Sequence, residues 1–405
     1  MKNYQKTISE KINRQFCRFD ESGESLGAAK RFQQVCMAGP AFVARSVGHL
    51  WRNRRYLTFY KLLNILLVNV ECLLKRERLI GLPYDIKLEP TNICNSGCRL
   101  CPTGMGLSGR AKGKMSFDKF KLIIEQIKRH TYVLDLSNWG DPLVVPEIYE
   151  MIRYAHDCRI WTYISTNLHS FSIENGDAQK MIESGLDMLN CSVHAASQQT
   201  YEQYQPNKKL DSVLEKIRNI QETKRELGVN KPTVRMFFVV TKYNEHEIED
   251  FKKLAQELGC VAVFTTASLN LRFVGRDKKL KDLGWPYERK VQLAEHIKQE
   301  WLPEDNRWVA KWYQGNGEFL KERMEIAQKV FECNWPWKRT VINWNGDVTV
   351  CCGVFNPAWT MGNVFEEPLR RIWNNRVYRD ARRSFRKPMA RGEGQPCSMC
   401  YGVLM

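Results

Sequence analysis

Tyr84-Asp-Ile-Lys-Leu-Glu-Pro-Thr-Asn-Ile-Cys94-Asn-Ser-Gly-Cys98-Arg-Leu-Cys101 is the stretch around which the chain is organised. Its first six residues alternate like a strand, so the three thiols fall on a short Gly-containing loop beyond that strand's C-terminal end. Thiols spaced four and three residues apart can hold three corners of a [4Fe–4S] cube and leave the fourth iron open for a ligand. The same three thiols also suit a zinc ion whose fourth ligand, a His or Cys, comes from farther along the chain.

Working outward, strand-like and helix-like segments alternate from 84 to 270. Helix-like Phe117–Arg129 precedes the strand Val133–Ser137, and Pro146–Cys158 precedes Ile160–Ser165. Asp177–Gly185 leads to Met188–Val193, Ser212–Gly228 to Thr233–Val240, and Glu245–Gly259 to Val261–Phe264. With the first strand near 85–89, six βα-type units result, and repeated βα units make a parallel sheet with helices outside. Six units rather than eight predict an α/β fold, a partial (β/α)6 barrel of the TIM type. Such barrels place their chemistry at the C-terminal strand ends. The cysteine loop sits at one.

The neighbouring strand ends carry polar residues too. After the second strand comes Asn138-Trp-Gly-Asp-Pro-Leu143, where Gly140 admits close backbone approach and Asp141 offers a carboxylate to an ammonium group. Ser165-Thr-Asn167 follows the third strand, and the fourth ends in Ser192-Val-His194. Each set alone is ordinary turn chemistry. Sets at four successive strand ends point to one shared ligand.

The CxxxCxxC triplet behind Glu-Pro-Thr-Asn resembles the signature of the radical S-adenosylmethionine (SAM) enzymes, with Leu100 where that family usually has an aromatic residue. The resemblance implies that Cys94, Cys98 and Cys101 hold a SAM-binding [4Fe–4S] cluster. It puts Gly140 and Asp141 in place of the family's GGE motif, which binds the methionyl amine. Ser165 and Asn167 match the TN-type motif, and Ser192 matches the strand-four serine that contacts cofactor ribose or carboxylate. His194 stands where relatives often have Asp, and Arg235 on the fifth strand is the candidate for the methionyl carboxylate. The implied chemistry is one-electron cleavage of SAM to methionine and a 5′-deoxyadenosyl radical, which removes hydrogen from an unactivated C–H bond. A donor such as flavodoxin or ferredoxin would reduce the cluster.

A second cysteine set begins at Cys333-Asn-Trp-Pro-Trp337. The strand Thr340–Trp344 turns at Asn345-Gly346, a strong hairpin signal, and returns to Cys351-Cys352; Cys397-Ser-Met-Cys400 closes the set. Cys333, Cys351, Cys397 and Cys400 are enough for one closed site, and on spacing alone zinc and iron–sulfur fit equally. Together with Gly362-Asn-Val they resemble the SPASM/twitch extensions of radical SAM enzymes, which implies one auxiliary [4Fe–4S] cluster in the half-sized twitch form. Cys352 stands as the alternative to Cys351. The expected division is a basic N-terminal helical extension (1–83), the radical SAM core (84–270), a helical bridge (271–330) and a small hairpin-containing Fe–S domain (331–405).

Composition narrows the rest. A chain of 405 residues that is 43% hydrophobic is globular. Eight of its 14 cysteines cluster in two sets, the other six are scattered, and no secretory segment opens it, which reads as metal binding in a cytoplasmic protein rather than a disulfide framework. The net charge is +17; residues 1–84 carry 15 Lys/Arg against 6 Asp/Glu, and Arg370 to Arg391 carry nine against the single Asp380. Such fields favour an anionic substrate or partner, or simply solvate the surface; no clear nucleic-acid motif accompanies them. The apolar run Leu62–Leu74 is too short to span a bilayer and is interrupted by Asn64, Asn69 and Glu71. It predicts a helix packed on the core, the alternative being a basic amphipathic helix in peripheral contact with a membrane.

Three readings of the function follow. The first is oxidation or rearrangement of a small polar metabolite in a biosynthetic pathway, a sugar or aminocyclitol, because the C-terminal spacing resembles the twitch domain of aminocyclitol alcohol dehydrogenases. The second is modification of a ribosomally made peptide or protein. The third, from another class, is a non-enzymatic zinc-bearing protein that binds nucleic acid or membrane. No catalytic acid or base stands out. Cys191 and Cys260 are hydrogen donors only if they face the barrel interior, and alternation with Ser192 turns Cys191 away.

Overall fold

Strands and helices alternate here as the hydrophobic periodicity demands. The computed structural model describes residues 53–106, 110–267, 299–309, 333–355, 357–385 and 397. Residues 1–52, most of the expected bridge and Cys400 lie outside these.

The elements run α1 (Phe59–Leu73), β1 (Asp85–Leu88), α2 (Phe117–Ile127), β2 (Val133–Asp135), α3 (Ile148–Asp157) and β3 (Trp161–Thr166). There follow α4 (Asp177–Glu183), β4 (Met188–Ser192), α5 (Gln198–Tyr204), α6 (Leu210–Glu226), β5 (Thr233–Val240), α7 (Ile248–Glu257) and β6 (Val261–Thr266). The C-terminal part adds α8 (Trp335–Lys338), β7 (Arg339–Ile342), β8 (Asp347–Thr349), β9 (Gly362–Asn363), α9 (Leu369–Ile372) and α10 (Arg376–Arg383).

The helices bury the stripe their spacing sets. In α2, capped by Ser116, the inward residues are Phe120, Ile123, Ile124 and Ile127; in α6 they are Leu210, Val213, Leu214, Ile217 and Ile220. On the strands, Ile86, Leu134, Ile164, Leu189, Met236 and Phe238 meet these helices in one continuous core. Each such side chain is worth about 1.5–3 kcal/mol of transfer free energy. Phe238, Phe251 and Phe264 close one end, with the first two rings 4.6 Å apart edge to face.

The nine strands form one sheet in the order β6-β5-β4-β3-β2-β1-β7-β8-β9. Strands β1 to β6 are parallel neighbours, giving the partial (β/α)6 barrel. The C-terminal hairpin does not stand apart. β7 pairs in parallel with β1, Asp85 opposite Arg339 and Leu88 opposite Ile342, and β8 and β9 follow antiparallel.

Helix α1 lies across the N-terminal ends of the strands. The Asn64 side chain exchanges hydrogen bonds with both main-chain groups of Leu82, at 2.9 and 2.8 Å. Lys61 donates to the carbonyl of Arg159, which precedes β3, and Tyr56 donates to Asp187, which precedes β4, at 2.6 Å. Glu71 accepts from the main chain of Ile80 and Gly81 at 2.7 and 3.1 Å. The helix is packed, as expected, through these polar residues together with buried Val68 and Cys72. No helix among the described residues is long and apolar enough to cross a membrane.

Candidate active site

The loop after β1 is tied shut by the four residues that precede its cysteines. Buried Glu89 takes Arg110 through both oxygens, at 3.1 and 2.5 Å, and also accepts from Asn138. Thr91 donates to the Gly113 carbonyl at 2.8 Å, while Asn92 donates to Ala111 and accepts from Gly113 at 2.8 and 2.9 Å. Glu-Pro-Thr-Asn therefore brings the far end of the loop back against its start.

Within the loop, the Cys94 sulfur accepts from the Asn167 amide at 3.6 Å, and Cys98 lies 3.2 Å from the Ser96 hydroxyl. Burial pushes the Cys94 thiol up to about 11 and Cys98 up to about 12, and the neighbouring thiols add to both shifts. A metal cluster would take such thiols as thiolates, its positive charge offsetting the burial. Among the described residues no group of three or more His, Cys, Asp or Glu is set to hold a single metal ion. Leu100, in the position that usually holds an aromatic residue, is buried with Trp301 and Val309, and the Tyr204 ring packs on the same cluster.

The second strand end locks onto this loop. A Cβ on Gly140 would fall 2.2 Å from the Thr91 carbonyl oxygen, and the Asp141 N–H donates to Ile93 at 3.0 Å. Only glycine permits that approach. The Asp141 carboxylate is buried and occupied: it accepts from the Thr166 hydroxyl (2.9 Å), Asn167 N–H (2.8 Å) and Leu143 N–H (3.0 Å). Burial raises its pKa against those donors. Trp139 packs edge-on to Phe355 at 5.1 Å, with its indole N–H buried and unpartnered among the described residues.

Asn167 joins the set directly, donating to Cys94 and to Asn95. Ser165 lies within β3, one layer deeper, and accepts from Asn190 at 3.1 Å. Ser192 ends β4, its carbonyl accepting from Gln205 at 3.0 Å. His194 has φ +65° and its Nδ1 accepts from the Val239 N–H at 3.1 Å, so the proton of the neutral ring sits on Nε2. Burial lowers its pKa to about 4. Arg235 lies mid-strand opposite Asn190, not at the strand end; its guanidinium stands 3.2 Å from the Met188 sulfur and over the Phe237 ring.

The structure thus gathers Gly140, Asp141 and Asn167 around Cys94, and sets Ser165 and Arg235 deeper in the barrel. Sequence reasoning passed over three residues. Thr166 ties Asp141 to β3, and fully buried Gln205 links Ser96, His169, Tyr201 and Ser192. The Tyr204 hydroxyl is raised well above the phenol range by burial and then by Cys98 and Cys101. Both Tyr204 and Gln205 belong to the unforeseen helix α5 and its C-cap.

Below this ring the interior is charged. Lys87 on β1 pairs with Asp135 on β2, Ser137 also donates to Asp135, and Asp85 pairs with Arg339 at 2.7 Å. Against the opposing effect of burial, Asp135 and then Cys352 hold the Lys87 pKa up, and Cys352 also acts on Arg339. Cys397 and Cys351 instead act on Tyr378, whose pKa burial raises and whose hydroxyl contacts Thr340 at 2.7 Å. The two adjacent cysteines thus serve different surroundings. Cys191 is buried on the helix side of β4, and Cys260 sits at the N-terminal end of β6, 3.4 Å from the Leu258 carbonyl. Neither is placed as a hydrogen donor.

Residues 88–255 match the family model of the radical SAM superfamily, and residues 333–401 match the SPASM iron–sulfur cluster-binding domain. An AdoMet-dependent heme synthase of Methanosarcina barkeri is 24% identical over 313 residues, covering 74% of this chain and 85% of the relative. A tungsten-containing aldehyde ferredoxin oxidoreductase cofactor-modifying protein of Pyrococcus furiosus is 21% identical over 307 residues, covering 72% and 81%. The crystal structure of Streptococcus suis SuiB bound to precursor peptide SuiA superposes with a TM-score of 0.53 at 17% identity, over 78% of this chain and 70% of that one. These findings set aside the non-enzymatic zinc protein. They imply a SAM-binding [4Fe–4S] cluster, an auxiliary iron–sulfur cluster and SAM itself as cofactors. The chain belongs to the radical SAM superfamily and is an enzyme of that class, with a SPASM domain C-terminal to its radical SAM domain.

Proposed function

We propose that the enzyme oxidises or rearranges a small polar metabolite, of sugar or aminocyclitol character, held inside the barrel. When bound, SAM and its cluster supply the radical that removes hydrogen from substrate. The observation that carries this reading is the polar interior face: Lys87, Asp135, Tyr163, Ser165, Asn190 and Arg235 come from five neighbouring strands. Lys87 and Asp135 satisfy each other, whereas, among the described residues, the side-chain Oδ1 of Asn190 is buried without a partner and Arg235 has no carboxylate partner. An acceptor and a cation left open side by side suit a ligand with hydroxyl or amine donors and an anionic group.

In this reading Cys94, Cys98 and Cys101 hold the SAM cluster, and Gly140, Asn167, Ser192 and His194 line the cofactor. Asp141 acts through Asn167 and the Gly140 backbone, because its own acceptor sites are filled. Arg235 turns toward substrate rather than the methionyl carboxylate, since it lies below the strand ends. Cys333, Cys351, Cys397 and Cys400 hold the auxiliary cluster, and flavodoxin or ferredoxin supplies electrons.

The test is anaerobic incubation of the reconstituted enzyme with SAM, reductant and a panel of polyols, amino sugars and aminocyclitols. Substrate-dependent 5′-deoxyadenosine and a ketone or rearranged product are expected. Stimulation by peptides alone would overturn the reading in favour of peptide modification.

A further inference from the structure

Helix α1 buries polar residues beside the apolar Val68 and Cys72 and leaves a longer apolar stripe outside. Its polar residues Lys61, Asn64 and Glu71 face the barrel, where each bonds main-chain groups near the strand starts. Its other face carries Phe59, Leu62, Leu63, Leu66 and Val70, at helical spacing, with Leu74 just beyond. Phe59 is 71% exposed and Leu66 56%. Scattered exposed apolar residues need no explanation, but a contiguous apolar helix face does.

The rim of this face is cationic. Arg54 is exposed at one end of the helix and Arg76 and Arg78 at the other. Beside Ile80, which is 65% exposed, a shallow pocket is lined by Arg78, Arg370 and Arg371 together with Leu79 and Asn374. Asn374 fixes the pocket by exchanging hydrogen bonds with Leu79, both at 2.9 Å. Arg78, Arg370 and Arg371 have no carboxylate partner among the described residues. Between 53 and 80 the two acids are committed elsewhere: Glu71 is buried, and Glu77 pairs with Arg383 at 2.9 Å.

We propose that this face docks on an anionic phospholipid surface, α1 inserting its apolar residues and the Arg78–Arg370–Arg371 pocket taking a lipid phosphate. Charge selects this occupant over the others. A second copy would bring like-charged rims together. Residues 1–52 carry nine Lys/Arg against four Asp/Glu, so they do not complement a basic rim either. Apolar insertion and electrostatic attraction to anionic headgroups reinforce each other at an interfacial helix. Since α1 crosses the N-terminal strand ends, the cysteine loop at the opposite ends faces away from the lipid.

The test is cosedimentation of the full-length, anaerobically reconstituted protein with vesicles of phosphatidylcholine alone or mixed with phosphatidylglycerol. Binding to the mixed vesicles is expected, falling as salt rises. Leu66→Glu should weaken it by more than about tenfold, and Arg370→Ala or Arg371→Ala by about fivefold each. All three should melt like the wild type and keep SAM cleavage unchanged; Leu66→Ser gives a milder second variant of the apolar face. Equal binding by Leu66→Glu and Leu66→Ser, or equal binding to neutral vesicles, would overturn the proposal. So would failure to bind either vesicle, with a concentration-dependent dimer then assigning the face to a second copy and a monomer assigning it to residues 1–52.

Discussion

The Asn167 main-chain N–H donates to the Asp141 carboxylate at 2.8 Å while its side-chain amide reaches the Cys94 sulfur at 3.6 Å. One residue therefore couples the end of β2 to the thiol loop. Asp141→Ala leaves the Thr166, Leu143 and Asn167 donors buried without an acceptor, at a cost of about 3 kcal/mol. A lower unfolding midpoint and weaker SAM binding are expected together, with Asp141→Asn intermediate in both. Loss of SAM affinity in Asp141→Asn at unchanged stability would instead mean that this carboxylate meets the cofactor itself.

The different surroundings of Cys351 and Cys352 predict different iron contents. Cys351 shares Tyr378 with Cys397, whereas Cys352 lies by Lys87 and Arg339. Cys351→Ala should lose the auxiliary cluster, about four irons per chain, while Cys352→Ala keeps them. Iron and sulfide analysis after anaerobic purification decides this, and the opposite pattern would exchange the two roles.

Arg235→Gln removes the interior cation that no described carboxylate satisfies. Charge-assisted hydrogen bonds of 1.5–3 kcal/mol correspond to a KM increase of about 10- to 100-fold. SAM binding, measured without substrate, should be unchanged. A drop in SAM affinity would return Arg235 to the methionyl carboxylate.

His130 is buried before β2, with Nε2 unpartnered among the described residues, and its pKa is lowered to about 4 by burial and then by Lys61 and Arg370. A histidine whose folded pKa is depressed favours the folded state above its unfolded pKa, and that contribution is lost as pH falls. Between about pH 6.5 and about pH 4 the loss approaches 3 kcal/mol. His130→Gln should remove much of the difference between denaturation midpoints measured at about pH 7.5 and about pH 5. An unchanged difference would assign the acid sensitivity to other groups.

Much of the fold was legible because a parallel sheet writes itself as alternating βα periods. Every strand from β1 to β6 was anticipated within a few residues. The thiol loop was legible because thiols at fixed spacing have few other uses. Gln205 and Tyr204 were not, since they sit on a seven-residue helix, α5, too short to show a period. The layer of Arg235 was missed because a sequence shows that a residue is on a strand, not how far its neighbours run past it. The outward face of α1 was also missed. The apolar run Leu62–Leu74 predicted packing on the core, but Asn64 and Glu71 are drawn inward by main-chain groups of Leu82 and Ile80, beyond the end of the helix.

The parallel pairing of β7 with β1 has a consequence for electron traffic. The triplet of thiols follows the top of β1, and Cys351 follows β8, which returns alongside β7. Backbone hydrogen bonds between strands about 4.8 Å apart therefore hold Cys351 at a fixed place relative to the thiol loop, and with it any electron path between clusters bound at the two. Among the described residues the C-terminal hairpin and the barrel share one sheet, so swinging that hairpin away as a rigid body would break the β1–β7 ladder.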